Sequence, residues 1–277
     1  MVTSVTSPAV AGGVLRVDTT SPSMEETAGR VCAGCTQSFE EGGSASGRES
    51  DMDLFFGAEV LFFDLDGLLV DTEKLHFQAY SDVLPNYGVT VDWDFATFAR
   101  SAHQSQARLR SFIASHAEEP MTDARWQKLY ADKSAKYTQL LSNAPLSLMP
   151  SVEPLLRRRE KSAIPCAVVT NSSRAWTDTI RDRFSILNTI PIWVTREEYK
   201  EAKPAPDGYL KGIDILQAEG KRKVGFEDTM RGIRALEGAG ISPVLICSPE
   251  HPQLEEKGFT AIPYYPSFTD LLSHRSR

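Results

Sequence analysis

No apolar stretch in this 277-residue chain approaches the roughly 18–20 residues that cross a bilayer, so neither a membrane-spanning helix nor a membrane partner is expected. Basic residues are not in excess either. Lys and Arg number 30 against 37 Asp and Glu, a formal net charge of −7. That balance argues against a nucleic-acid partner, because binding a phosphate backbone needs a concentrated basic surface. Arg157, Arg158, Arg159 and Lys161 form the one tight basic run, and a solvated helix face accounts for it. Four cysteines are too few for a disulfide framework in a chain of this length. Cys166 and Cys247 stand in apolar runs, where cysteine behaves as a small buried hydrophobe. Cys32 and Cys35 make a single CxxC with no second pair and no histidine nearby, half of a zinc site and so read as none. The basic start and apolar centre of a secretory signal are missing as well. These absences predict a soluble, cytoplasmic monomer. An organellar transit peptide stays open as the alternative, since the first 17 residues are hydroxyl-rich and free of acids, although Arg16 is their only arginine.

What is present suffices for a sizeable core: 41% of residues are hydrophobic and 24% charged, as in ordinary globular proteins. The length exceeds one usual domain, so a main domain with a smaller companion is expected. Residues 1–52 stand apart. Ser, Thr and Gly supply 21 of the first 50 and Phe39 is their only aromatic, a composition that cannot bury enough apolar surface to offset its ordering entropy. This tail is predicted to be disordered, and Met52 is a candidate alternative start.

From residue 59 the pattern changes. Glu59 to Asp64 is a short apolar run ending in an acidic turn, as in a buried parallel strand. Similar runs follow at Ile164–Thr170, Ile192–Thr195, Lys223–Phe226 and Pro243–Ser248, with one more strand expected over Ala261–Tyr265. Helical stretches alternate with them at Thr177–Phe184, Asp207–Ala218 and Thr229–Ala239. The fold class is therefore α/β, a Rossmann-like parallel sheet with right-handed crossovers. Residues 75–145 break the alternation and read as consecutive helices, Leu75–Asn86, Ser105–His116 and Asp123–Leu141, joined by polar segments. This all-helical insert is expected to form a cap domain over the sheet's carboxyl edge. The core domain is then discontinuous, 53–74 and 146–277.

Chemistry concentrates where strands end. Asp64 and Asp66, two residues apart, leave the first strand at the edge where open α/β sheets bind ligands. One carboxylate can attack phosphorus while the other moves protons, and a divalent cation can bridge carboxylate and phosphate oxygens. Gly67 permits the tight turn that follows. Alone, this Asp-x-Asp-Gly also fits a calcium-loop fragment or a plain acidic turn. Thr170, Asn171, Ser172 and Ser173 end the second strand and open a helix, offering hydroxyl, amide and N–H donors to a phosphate, or an ordinary N-cap. Lys203 is a lone cation in a proline loop, alternatively a surface lysine. Glu227 and Asp228 end the fourth strand, alternatively as helix caps for Thr229.

The segments FDLDGLLVDTE, VVTNSS, KPAPDGYL and GFEDTMRGIRAL resemble, in order, the four motifs of the haloacid dehalogenase (HAD) superfamily and its β-phosphoglucomutase-like branch, which includes many sugar-phosphate phosphatases. The likeness covers about residues 58 to 250. It implies a Mg²⁺-dependent phosphatase acting on a small-molecule phosphate ester. Asp64 would be the nucleophile and Asp66 the general acid and base. Thr170 and Asn171, with Ser172, would hold the phosphoryl group, and Lys203 would offset its charge. Asp64, Asp66 through its backbone carbonyl, and Asp228 would bind the metal, with Glu227 at or near it. The branch also carries a histidine at the position of His76, a substrate contact by resemblance and a core or surface histidine otherwise. His103, Gln104 and Arg108 are candidates for the cap face. Here the chain lacks the glycine and following arginine that grip the far phosphate in the mutase. A sugar phosphomutase remains the alternative, a silent binding protein a third reading. Dehalogenation is disfavoured because it needs neither Asp66 nor Asp228.

Overall fold

The computed structural model describes residues 55–251, 254 and 262–273. The expectations of a disordered tail over 1–52 and of an inert CxxC at Cys32 and Cys35 lie outside the described residues. The core is a six-stranded sheet, every neighbouring pair parallel. Its strands are β1 (Val60–Phe63), β2 (Cys166–Val169), β3 (Ile192–Val194), β4 (Lys223–Glu227), β5 (Ser242–Ile246) and β6 (Tyr264–Tyr265), in the order β3-β2-β1-β4-β5-β6. β1 lies between β2 and β4 and is buried along its whole length.

Helices cover both faces of the sheet, which explains the near-continuous apolar strands. Leu61, Phe63, Cys166, Val168 and Phe226 point to one face, where they pack with helices α5 (Val152–Ser162), α6 (Arg174–Arg183) and α9 (Phe268–Ser273). Val60, Phe62, Ala167 and Val169 point to the other, against α7 (Asp207–Ile215) and α8 (Met230–Gly238). Cys166 and Cys247 are both buried.

Between β1 and β2 the chain inserts α1 (Glu73–Val83), α2 (Phe95–Ala102), α3 (Gln106–Ala114) and α4 (Asp123–Asn143). This helical cap has an apolar cluster of its own, including Tyr80, Phe98, Leu109, Ile113, Trp126 and Leu129. Helix α2 falls in a segment read from sequence as a polar joint. Asp94 caps it by accepting from Thr97 N–H at 2.8 Å, and Phe98 and Ala99 turn inward. The basic run on α5 is also not wholly solvated. Arg157 pairs with Glu153 at the surface, but Arg159 is buried and donates to the Thr189 carbonyl at 2.5 Å. Among the described residues no helix is long and apolar enough to cross a membrane.

Candidate active site

The site forms at the carboxyl edge of β1, β2 and β4, at the point where strand order reverses on either side of β1. Each strand hands over its polar residues as its buried run ends: Asp64 after β1, Thr170 after β2, Glu227 and Asp228 at the end of β4. The loop between β3 and α7 supplies Lys203.

Lys203 is only 7% exposed, so it is not the surface lysine of the alternative reading. Its three protons meet Asp64 Oδ1 at 2.5 Å, Glu227 Oε1 at 2.6 Å and the Val169 carbonyl at 2.8 Å. Burial disfavours its charge, but Asp64 and Glu227 outweigh that and hold the ammonium firmly protonated. Tyr209 OH donates to Glu227 Oε1 at 2.5 Å, and burial beside that carboxylate raises the phenol's pKa well above its ordinary value. Helix capping does not explain the acids or the hydroxyls. Thr229 caps α8 through Gly232 N–H, and Ser173 caps α6 through Trp176 N–H, so these residues take that task rather than Glu227, Thr170 or Ser172.

Asp66 faces a different set of donors. Thr72 Oγ1 donates to its Oδ1 at 2.6 Å, while Ser172 Oγ and Thr170 Oγ1 donate to its Oδ2 at 2.7 and 3.1 Å. Asn171 Oδ1 accepts from Lys203 N–H at 3.1 Å and lies 2.9 Å from Tyr199 OH. The two aspartates that begin as neighbours in sequence thus sit in contrasting surroundings, one against a cation and one among hydroxyls.

Asp64, Glu227 and Asp228 offer carboxylate oxygens within 4.8 Å of one another, all buried. Burial, reinforced by Glu227 and Asp66 and opposed by Lys203, pushes Asp64 up to about 7. Burial, then Glu73, Asp64 and Glu227, pushes Asp228 well above the usual carboxylate range. Three crowded carboxylates with one ammonium among them lack positive charge, and an all-oxygen donor set of this kind suits a hard divalent cation. The backbone makes room for it closely. Gly67 has φ +80°, and a Cβ there would meet Asp228 Oδ2 at 2.3 Å.

The cap closes over this edge to leave a cavity of about 390 Å³. From the cap come His76, His103 and Lys133, with Tyr80 and Tyr130. His76 Nδ1 lies 2.7 Å from Lys133 Nζ, and its ring stacks on Tyr137 at 3.8 Å. Burial, with the ammonium of Lys133 and then His103, holds His76 well below its ordinary pKa, so its nitrogen accepts from Lys133. Lys133 is 3% exposed and ringed by Tyr80, Tyr130, Tyr137 and Trp176, its nitrogen 4.9–5.9 Å from their centroids. Burial lowers it to about 7, with Asp66 pulling the other way. Sequence reasoning did not single it out. Of the three cap-face candidates, His103 lines the cavity, whereas Gln104 and Arg108 are exposed and Ser105 and Gln106 take their place.

These features define a hydrolase of known kind. The model of the haloacid dehalogenase-like hydrolase family matches residues 61–246, and the chain belongs to that family. It is 28% identical over 195 residues to the protein CbbY of Rhodobacter capsulatus, covering 68% of this chain and 84% of that protein. It is 30% identical over 197 residues to a Drosophila melanogaster protein named "Probable pseudouridine-5'-phosphatase", covering 69% and 82% respectively. The crystal structure of CbbY from Rhodobacter sphaeroides in complex with phosphate shares the fold at a TM-score of 0.64 and 24% identity, over 77% of this chain and 96% of that one.

Proposed function

We propose that this protein is a Mg²⁺-dependent phosphatase that hydrolyses a small phosphorylated metabolite, a sugar phosphate by preference, through an aspartyl-phosphate on Asp64. The observation that carries the reading is the contrast between the two aspartates. Asp64 lies 2.5 Å from Lys203 and beside the carboxylate cluster, placed for attack, while Asp66 lies among three hydroxyls, placed for proton transfer.

In the first step an Asp64 carboxylate oxygen forms a bond to phosphorus as the ester oxygen leaves, taking its proton from Asp66. In the second, Asp66 takes a proton from the water that attacks the acyl-phosphate, releasing inorganic phosphate and restoring Asp64. The hydroxyls of Thr72, Thr170 and Ser172 can donate to ionised Asp66 or turn to accept its proton, so one shell serves both states. Lys203 offsets charge on Asp64 and the transferring group. Asn171 spends its Oδ1 on Lys203 and Tyr199, which leaves its amide protons for phosphoryl oxygens, with Thr170 and Ser172 alongside. Asp64, Asp228, Glu227 and the Asp66 backbone carbonyl would hold Mg²⁺, which supplies charge neutralisation for the carboxylates and the phosphoryl oxygens. The cap, taken as 75–145 on a core of 53–74 and 146–277, would exclude bulk water and choose the substrate. His76 and Lys133 reach the cavity from it, and His76 contributes to substrate binding there.

The relatives named phosphatases support hydrolysis. So does the cap segment where the mutase has its arginine: Ser105 and Gln106 line the cavity there. The substrate is a small phosphate ester rather than nucleic acid, and the protein acts as a monomer. Phosphate release from a panel of sugar phosphates, nucleotides and small organic phosphates, with Mg²⁺ and then with EDTA, tests the proposal. Magnesium-dependent release from one class supports it. Isomerisation of a sugar phosphate without net release would replace it with the mutase.

A further inference from the structure

Beside the three carboxylates, at the junction of cap and core, lies a second group of metal-ligating side chains. Glu73, His103 and His251 offer one carboxylate oxygen and two imidazole nitrogens, all within 4.8 Å of one another. They come from three separate stretches of chain. Glu73 opens α1, His103 directly follows α2, and His251 lies in the loop after β5. His103 Nε2 pairs with Glu73 Oε1. The rings of His103 and His251 stack with centroids 4.8 Å apart and planes 3° from parallel.

His251 brings a third ligand-type side chain against the Glu73–His103 pair from the core side. Burial, and then His103, lower His251 to about 4 against the pull of Glu73, which leaves its ring neutral near pH 7. Neutral imidazole is the form that binds metals. His103 adds a buried Nδ1 with no hydrogen-bond partner among the described residues.

We propose that Glu73, His103 and His251 form a second metal site, for a transition-metal dication of the zinc class, that ties the cap to the core. Two nitrogens and one oxygen suit zinc and disfavour magnesium, which takes oxygen donors. Tetrahedral zinc with bonds of about 2.0–2.1 Å sets its donors about 3.3 Å apart, so side-chain movement alone closes this trio. The Glu73–His103 hydrogen bond gives way to two metal bonds, and water takes the fourth position. His103 belongs to the cap and His251 to the core, with Glu73 where they meet. Zinc therefore fastens the cap. Glu73 and His103 line the cavity, so the fastened state slows substrate entry and product release.

The test is zinc binding by the full chain in excess Mg²⁺, read by competition with a chromogenic zinc chelator. The wild type and Asp228→Asn should both bind zinc. His251→Ala and the more conservative His251→Gln should lose affinity by more than about 100-fold, beyond what the loss of a metal's outer partners causes. Zinc should also inhibit Mg²⁺-supported phosphate release in the wild type and much less in either His251 variant. Equal zinc affinity in wild type and both His251 variants would overturn the proposal. So would zinc lost in Asp228→Asn but kept in the histidine variants, which places the ion among the carboxylates of the sheet edge. The binding measurement stands whether or not the phosphatase reading holds.

Discussion

Replacing Gly232 with alanine sets a helix preference against a buried ion pair, and the structure says which wins. A Cβ at this position would lie 1.9 Å from Glu227 Cδ and 2.0 and 2.2 Å from its two oxygens. Non-bonded atoms settle near about 3.5 Å, so the carboxylate would have to retreat by about 1.5 Å. It has no slack for that. Glu227 is 1% exposed, and its Oε1 holds Lys203 at 2.6 Å and Tyr209 at 2.5 Å. A retreat of that size carries both bonds out of hydrogen-bond range. Removing one partner of a buried pair costs about 3–5 kcal/mol; separating two that remain should cost somewhat less, about 2–3 kcal/mol. Alanine in place of a helical glycine returns at most about 1 kcal/mol. The net expectation is a loss of about 1–2 kcal/mol in urea unfolding followed by tryptophan fluorescence. Lys203 also sets Asp64, and a displacement of about 1 Å near reacting groups costs about 100-fold in rate, so phosphate release should fall by a similar factor. A Gly232→Ala protein as stable as wild type, with full activity, would show that Glu227 is not wedged there and refute the reasoning.

Lys133→Met should stabilise the protein, by about 1 kcal/mol at pH 7, because methionine fills the aromatic cage without a buried ammonium while loss of the bond to His76 Nδ1 offsets part of the gain. Its pH dependence fixes the sign. Lys133 is lowered from 10.5 to about 7 in the fold, so between those values the unfolded chain binds the proton that the fold sheds, and wild-type stability rises with pH. The advantage of the methionine variant should therefore shrink from pH 7 to pH 9; an advantage that grows, or a less stable variant at both, would contradict it. Mg²⁺ should raise the thermal midpoint by binding the folded state, worth about 2.7 kcal/mol at 100 times its dissociation constant. Asp228→Asn should abolish most of that shift, and an unchanged magnesium titration would remove Asp228 from the ligand set.

Much of this was readable in the sequence because two signals coincide in an open parallel sheet. A strand buried on both faces writes a continuous apolar run, and the polar residues that end it lie at one edge. Asp64, Thr170 and Asp228 come together for that reason, and Lys203 joins them from the loop between β3 and α7. The cap gave up less. Helix α2 hid because its 8 residues, Phe95–Ala102, fall short of the window of about 11–18 residues in which a helical period shows. Lys133 hid among Lys128 and Lys136 on the same helix, since periodicity does not say which lysine of an amphipathic helix turns inward. Arg159, unlike Arg157 and Arg158, turns inward to the Thr189 carbonyl, 30 residues away. Glu73, His103 and His251 lie too far apart in the chain to form a spacing at all.

The central claim is that Asp64 carries the phosphoryl group. Acid quench of the enzyme during turnover of a ³²P-labelled substrate, with the label mapped to peptides, addresses it directly. The account predicts a base-labile label on the peptide containing Asp64, absent in Asp64→Asn, whose turnover should fall by at least about 10³-fold while its fold is preserved. Phosphate release with no label on the protein, with the label on another residue, or at a near wild-type rate in Asp64→Asn would contradict it.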